Sequence, residues 1–294
     1  MRRFSIADLV LSIEDESIKL FSNMDDFKSD RSSDSVLNVK LIPVEYINEP
    51  DGDLVAQEQI TWLCKRPREA GHYVWLPFGR DQHEIGCLLD ADAQWQKTAI
   101  TYLNKNIFGL NDEVFGFVAT YLIHMLLGVA FRNCLLHHDG IVIHASSIKW
   151  RGKGLIFTAP SGTGKSTHVR LWQKYMGDEV EVLNDDTPAI RFMDGKPFVF
   201  GTPWGGSTNV FRNDSAPVEA VVVLQQAAEN SITRLNTIEA VSRVTPRFFL
   251  PYVDKDLMAT ALNIVDKILS SVPVYLLKCK PDQEAVELVY NCVK

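Results

Sequence analysis

Residues 159 to 166 read Ala159-Pro160-Ser161-Gly162-Thr163-Gly164-Lys165-Ser166, the spacing of a phosphate-binding loop with alanine in place of its usual first glycine. Glycines at 162 and 164 let a backbone turn tightly and approach a phosphate, so that successive N–H groups face the anion. The segment Ser161 to Thr167 is therefore expected to bind a nucleoside triphosphate, ATP or GTP. Lys165 is expected to reach the β- and γ-phosphates, and its ammonium to face solvent when no nucleotide is bound. Ser166 would place its hydroxyl on Mg²⁺ or Mn²⁺, and Thr167 would support the helix start.

Two further groups have types suited to the same chemistry. Asp185 and Asp186 follow the apolar run Val180-Glu181-Val182-Leu183 and Asn184, where α/β sheets present ligand-binding residues, and paired carboxylates there suit a metal ligand and a general base. His144 lies in Gly140-Ile141-Val142-Ile143-His144-Ala145-Ser146-Ser147, which reads as one strand pairing with the phosphate-loop strand through a turn at Arg151 to Gly154. His168 reads as a structural residue, and His137, His138 and Asp139 as a polar junction. Arg212, Arg243 and Arg247 are candidate phosphate clamps among which the sequence does not choose. Gly201-Thr202-Pro203-Trp204-Gly205-Gly206-Ser207-Thr208-Asn209 mixes glycine, an aromatic ring and small hydroxyls, as a loop near an acceptor could.

These groups need particular elements to hold them. Gly154 to Thr158 has the length and apolarity of a strand, and Thr167 to Tyr175 has helical spacing, so the loop sits between strand and helix as its mechanism requires. Pro188 to Phe192 and Phe198 to Phe200 predict strands around the Asp194-Gly195 turn, Val218 to Leu224 a buried strand, and Asp256 to Leu269 a closing helix. The order of Ile143-His144-Ala145-Ser146, Gly164-Lys165-Ser166 and Leu183-Asn184-Asp185-Asp186 resembles bacterial HPr kinase/phosphorylases and ATP-dependent phosphoenolpyruvate carboxykinases over residues 134 to 225. The Gly-x-Pro-Trp stretch at 201–204 resembles that of HPr-kinase-like proteins found near peptide-modification genes.

The resemblance implies catalytic roles for His144, Lys165, Asp185 and Asp186. It also implies a metal site drawn from Ser166, Asp185 and Asp186, and leaves open which aspartate is the base. It implies an ATP-dependent kinase acting on a Ser- or Thr-type hydroxyl of a peptide, small protein or metabolite, with homo-oligomers known among such kinases. The alternative is a nucleotide-binding regulatory or assembly module with weak ATPase activity or none. The carboxykinases' separate metal-binding lysine and arginine-rich substrate site are not identifiable here.

Upstream of 134 the reading is coarser. Residues 1–103 offer short alternating runs such as Val36 to Ile42 and His72 to Leu76, predicting a smaller, mostly β amino-terminal domain that could recognise the acceptor. Ser22 to Ser35 reads as a solvated loop. Asn111-Asp112-Glu113 is a helix start, and a connecting helix is expected over 104–133, leaving 134–294 as the HPr kinase-like α/β catalytic domain. His124, Arg132 and Asn133 interrupt the apolar run Val114 to Leu136, which argues for a buried helix rather than a membrane span. A formal net charge of -7 disfavours nucleic acid as a partner. Five scattered cysteines and the absence of a signal-peptide pattern point to a reduced, cytoplasmic protein.

Overall fold

Leu37, Val39 and Leu41 are buried while Asn38 and Lys40 are exposed, the period-two pattern of a strand with one face on a core. This strand belongs to the first of two units, Met1–His137 and His138–Lys294, in a computed structural model that describes residues 1–15, 18–78, 84–106, 109–206 and 208–294. The first unit is an eight-stranded sheet of β1 (Arg2–Ile6), β2 (Leu9–Glu14), β3 (Leu37–Val44), β4 (Asp53–Gln57), β5 (Thr61–Cys64), β6 (His72–Pro77), β7 (Ile85–Ala91) and β8 (Lys97–Leu103). Their spatial order is β1-β2-β3-β8-β7-β6-β5-β4, with β3 parallel to both its neighbours.

Helix α1 (Asp112–Leu136) packs on β3, β6, β7 and β8 and belongs to this unit. Asn111 caps it by accepting from the Val114 N–H at 2.8 Å. The helix is long and apolar enough to cross a membrane by length and composition, but Ile123, Leu126, Leu127 and Ala130 are fully buried. The polar residues inside it are accommodated locally. Asn133 donates to the Val129 carbonyl at 2.9 Å, and His124 stacks on Phe21 at 5.1 Å. Ser22–Phe27 departs from the expected loop: it is a 3₁₀ helix whose Met24 and Phe27 are 1% and 0% exposed. Their spacing of three puts them on one side of a three-residue turn, enough to anchor an otherwise polar segment.

The second unit contains β9 (Gly140–Val142), β10 (Ala145–Trp150), β11 (Lys153–Thr158), α2 (Lys165–Met176), β12 (Val180–Asn184), β13 (Ala189–Met193), β14 (Lys196–Phe200), β15 (Ser215–Gln226), β16 (Ser231–Arg234), α3 (Thr237–Val244), α4 (Lys255–Ser271), β17 (Val274–Cys279) and α5 (Gln283–Val293). The sheet runs β12-β10-β11-β15-β14-β13-β9, with β17 on β15 and β16 on β17. β15 bridges two regions: Ser215–Pro217 pair antiparallel with β14, and Val218–Val223 pair parallel with β11. Trp172 of α2 and Val286 of α5 close a core over Phe157, Trp150 and Val222.

Two features of this topology position the site. β10 is antiparallel to both β11 and β12, so the residue before β10 lies at the same sheet edge as the carboxyl ends of β11 and β12. The strand expected over Gly140–Ser147 is in fact two, because β9 pairs with β13 and β10 with β11 and β12. At the break, Ile143 bridges to Phe248 and the His144 N–H donates to the Arg247 carbonyl at 2.8 Å. Serving two neighbours in succession forces the bend, and His144 stands at it.

Candidate functional site

The phosphate loop follows β11 directly and ends on α2. Gly164 is the helix N-cap at φ 111°, a left-handed conformation that glycine adopts without the strain a Cβ would bring. The first helical bond runs from His168 N to the Gly164 carbonyl at 2.9 Å, so the amides of Lys165, Ser166 and Thr167 have no acceptor within the helix. No side chain caps them. Three amides and the positive end of the helix dipole thus meet at one place, an arrangement suited to an anion. Ser161 and Gly162 are exposed on the loop, Thr163, Gly164 and Ser166 are half-buried, and Thr167 is exposed.

Lys165 does not face solvent as expected. It is 8% exposed, with Nζ 2.8 Å from His144 Nε2 and 3.4 Å from the Ala159 carbonyl. Burial lowers its pKa, with the nearby Asp186 carboxylate opposing and Arg247 reinforcing the shift. An ammonium can only donate, so Nε2 of His144 is the acceptor and its proton sits on Nδ1. That proton faces Asp186, whose Oδ1 is 3.4 Å from Nδ1. Burial, then the Lys165 charge, hold the His144 pKa below its ordinary value, which favours this neutral form. Thr158 fixes the histidine backbone by donating to its carbonyl at 2.9 Å.

The two aspartates have different surroundings. Asp186 turns to the His144–Lys165 pair, its side chain 31% exposed. Asp185 is 7% exposed, accepts from the Gly206 N–H at 2.9 Å, and holds the Thr208 hydroxyl on its other oxygen. Burial raises the Asp185 pKa against the Gly206 hydrogen bond. Gly206 comes so close that a Cβ there would lie 3.0 Å from Asp186 Cβ. The Gly201–Asn209 segment therefore lies over the carboxylate pair; Ser207, part of that expected loop, is outside the described residues.

Asn184 was given no role from sequence, yet it organises this end of β12. Fully buried, it donates to the carbonyls of Thr202 and Trp204 at 3.0 and 3.1 Å, and its Oδ1 accepts from the N–H groups of Asp186 and Thr187 at 2.8 and 2.7 Å. An asparagine heading a turn does this habitually, so Asn-Asp-Asp was the available signal. His168 is 4% exposed, accepts from Trp172 Nε1 at 3.2 Å and is held neutral, burial lowering its pKa to about 4. Arg212 lies apart on Glu181 at 2.6 Å, whereas the charge of Arg247 acts on both Lys165 and His144.

Two cavities flank the loop, one of 590 Å³ towards Ser242, Arg243 and Arg247 and one of 430 Å³ towards Thr167, Leu171 and Cys279. They share Gly162, Thr163 and Gln226 as wall, where Gln226 Nε2 donates to the Thr163 carbonyl at 3.2 Å. Among the described residues no group of three or more His, Cys, Asp or Glu side chains could hold a metal ion. The Ser166 hydroxyl and the half-buried Asp186 carboxylate are oxygen donors of the kind Mg²⁺ takes, one or two at a time, alongside waters and the oxygens of phosphates.

Comparison with solved structures finds the HPr(Ser) kinase/phosphatase from Coxiella burnetii, similar at 12% identity and a TM-score of 0.31, over 51% of this chain and 95% of that one. Comparison with curated proteins finds none that matches. A family model described as SynChlorMet cassette protein ScmC matches residues 118–283, over half of the chain, and the chain belongs to that family.

Proposed function

We propose that the chain is an ATP-dependent kinase that transfers the γ-phosphoryl group to a hydroxyl on a peptide, small protein or small molecule. The observation that carries this reading is the meeting, at one sheet edge, of the phosphate loop with two carboxylates that have separate partners. A module that only bound nucleotide would need Lys165 and Ser166 but not a second, differently placed carboxylate.

The triphosphate lies against the amides of Lys165 to Thr167, and Lys165 leaves His144 to contact its β- and γ-phosphates. Ser166 and Asp186 would hold Mg²⁺, which would supply neutralising charge to the phosphates. Arg247 adds a cation beside Lys165, where negative charge gathers on the transferring group. The acceptor hydroxyl takes the place of the Thr208 hydroxyl on Asp185, whose pKa burial raises, as suits a proton acceptor. The bond from the acceptor oxygen to the γ-phosphorus forms as that from the β,γ-bridging oxygen breaks. The acceptor's proton passes to Asp185, and the nucleoside diphosphate leaves. The neutral nucleoside fits the 430 Å³ cavity, walled in part by Leu171, Ala227, Cys279 and Pro281.

The test incubates the protein with γ-labelled ATP and Ser- and Thr-containing peptides, free serine and hydroxylated metabolites. A labelled, acid-stable product is expected, and Asp185→Asn should retain ATP binding and lose about 10²-fold or more in transfer. If nothing is labelled, and Asp185→Asn and Asp186→Asn leave residual ATP hydrolysis unchanged, the regulatory or assembly module becomes the better reading.

A further inference from the structure

The 590 Å³ cavity beside the phosphate loop has an unusual wall for a chain of net charge -7. Arg243 lies in the last turn of α3 and Arg247 ends the 3₁₀ turn that continues it, four residues on, and both residues line the cavity. Among the described residues, Arg151 is paired with Glu179 and Arg212 with Glu181, but neither Arg243 nor Arg247 has a carboxylate within ion-pair distance. Ser242 and Gln226 add polar groups to the same wall. A cavity of this volume has the size of a small-molecule site and exceeds what a single phosphate would fill.

Charge divides the two cavities between two ligands. In the kinase reading the loop amides and Lys165 meet the phosphates of the nucleotide, and the charge of Arg247 acts on Lys165. A nucleoside carries no charge, and Leu171, Ala227, Cys279 and Pro281 make the other cavity the more apolar lodging for it; the cation in its wall, Lys280, is paired with Asp282 at 3.4 Å. Arg243, a turn back from Arg247, then has no anion from the nucleotide to meet. Guanidinium groups recognise carboxylates and phosphates by paired N–H donors, at a distance fixed by their planar fork.

We propose that the Arg243 cavity is the acceptor's subsite, and that the acceptor carries its own carboxylate or phosphate close to the hydroxyl that is phosphorylated. The acceptor role rests on the kinase reading above; the anion site itself does not.

The experiment uses pairs of probes that differ in charge: glycerol 3-phosphate against glycerol, serine against serinamide, and a tripeptide ending in serine with a free or amidated carboxyl group. Each is titrated by calorimetry into the full chain saturated with Mg²⁺ and a non-hydrolysable ATP analogue, and each is offered with γ-labelled ATP. The charged member of a pair should bind and be labelled in preference to the neutral one. Arg243→Ala, at an exposed position, should weaken that binding by about tenfold or more while leaving the affinity for the analogue unchanged. Arg243→Lys should restore part of it. No binding of any charged probe overturns the subsite, as does an Arg243→Ala variant that loses nucleotide affinity and keeps that for the probe. Equal labelling of neutral and charged members overturns the proposal and leaves the kinase reading intact. Charged probes that bind through Arg243 without any labelled product keep the anion site and overturn its acceptor role together with the kinase reading.

Discussion

Replacing Lys165 by alanine should separate nucleotide binding from folding. Without nucleotide, Lys165 is a largely buried ammonium with its pKa lowered by burial, so its removal relieves a desolvation cost while stripping a donor from His144. The His144 side chain is 32% exposed, so water can take the vacated place, and the ligand-free stability should change by no more than about 1 kcal/mol. With nucleotide the balance differs, because the ammonium then meets phosphate. Losing a charged donor costs about 1.5–3 kcal/mol, which raises Kd roughly 10- to 150-fold. At MgATP set to about 100 times the unaltered protein's Kd, binding adds about 2.7 kcal/mol to its unfolding free energy, and the variant should keep only roughly 0.3–1.4 kcal/mol of that. Urea unfolding followed by tryptophan fluorescence, with and without MgATP, reads both quantities. Equal stabilisation by MgATP in the two proteins would refute the assignment of Lys165 to phosphate.

Asn184→Ala should cost about 2–4 kcal/mol of stability, since it leaves the Thr202 carbonyl without its donor and the Asp186 and Thr187 N–H groups without their acceptor, while the Trp204 carbonyl keeps the Thr187 hydroxyl; an unchanged urea midpoint would count against the role given to this residue. His168 should lend the protein an acid-labile component. Its folded pKa of about 4 lies below the usual 6.5, so stability is complete above about pH 6.5 and falls as pH drops towards 4, by up to about 3 kcal/mol. In His168→Gln that component is absent, and a stability difference between the two proteins that is constant from pH 4 to 8 would contradict the burial argument. Excess chelator should abolish transfer, and full activity in its presence would remove the metal from the proposal. Filling the smaller cavity with Leu171→Trp should weaken ATP more than it weakens pyrophosphate; equal weakening would argue that the nucleoside lies elsewhere.

The parts of the site legible in the sequence are those encoded by local spacing. Gly162, Gly164, Lys165 and Ser166 declare a loop because phosphate cradling needs these types at fixed offsets, and Asn111 declares a helix start for a similar reason. What escaped depends on which strands neighbour which. Gly140 to Ser147 is uniformly strand-like, so nothing local marks the bend at His144, which arises because β9 and β10 serve different partners. The inward turn of Lys165 depends on that bend. Likewise, Asp185 and Asp186 are chemically identical neighbours, and only the distant Gly206 and Thr208 on one side and His144 on the other give them different surroundings. Met24 and Phe27 were hidden among aspartates and serines, where composition outweighed two apolar residues three apart.

The hydrogen bond from the His144 N–H to the Arg247 carbonyl, with the Ile143–Phe248 bridge beside it, ties two backbones that are a hundred residues apart in sequence. His144 in turn touches Lys165 through its side chain. The arginine-bearing wall and the lysine of the phosphate loop are therefore joined through one residue, by its backbone on one side and its ring on the other. The segment from Ser242 to Phe248 is thus anchored on the bend before β10.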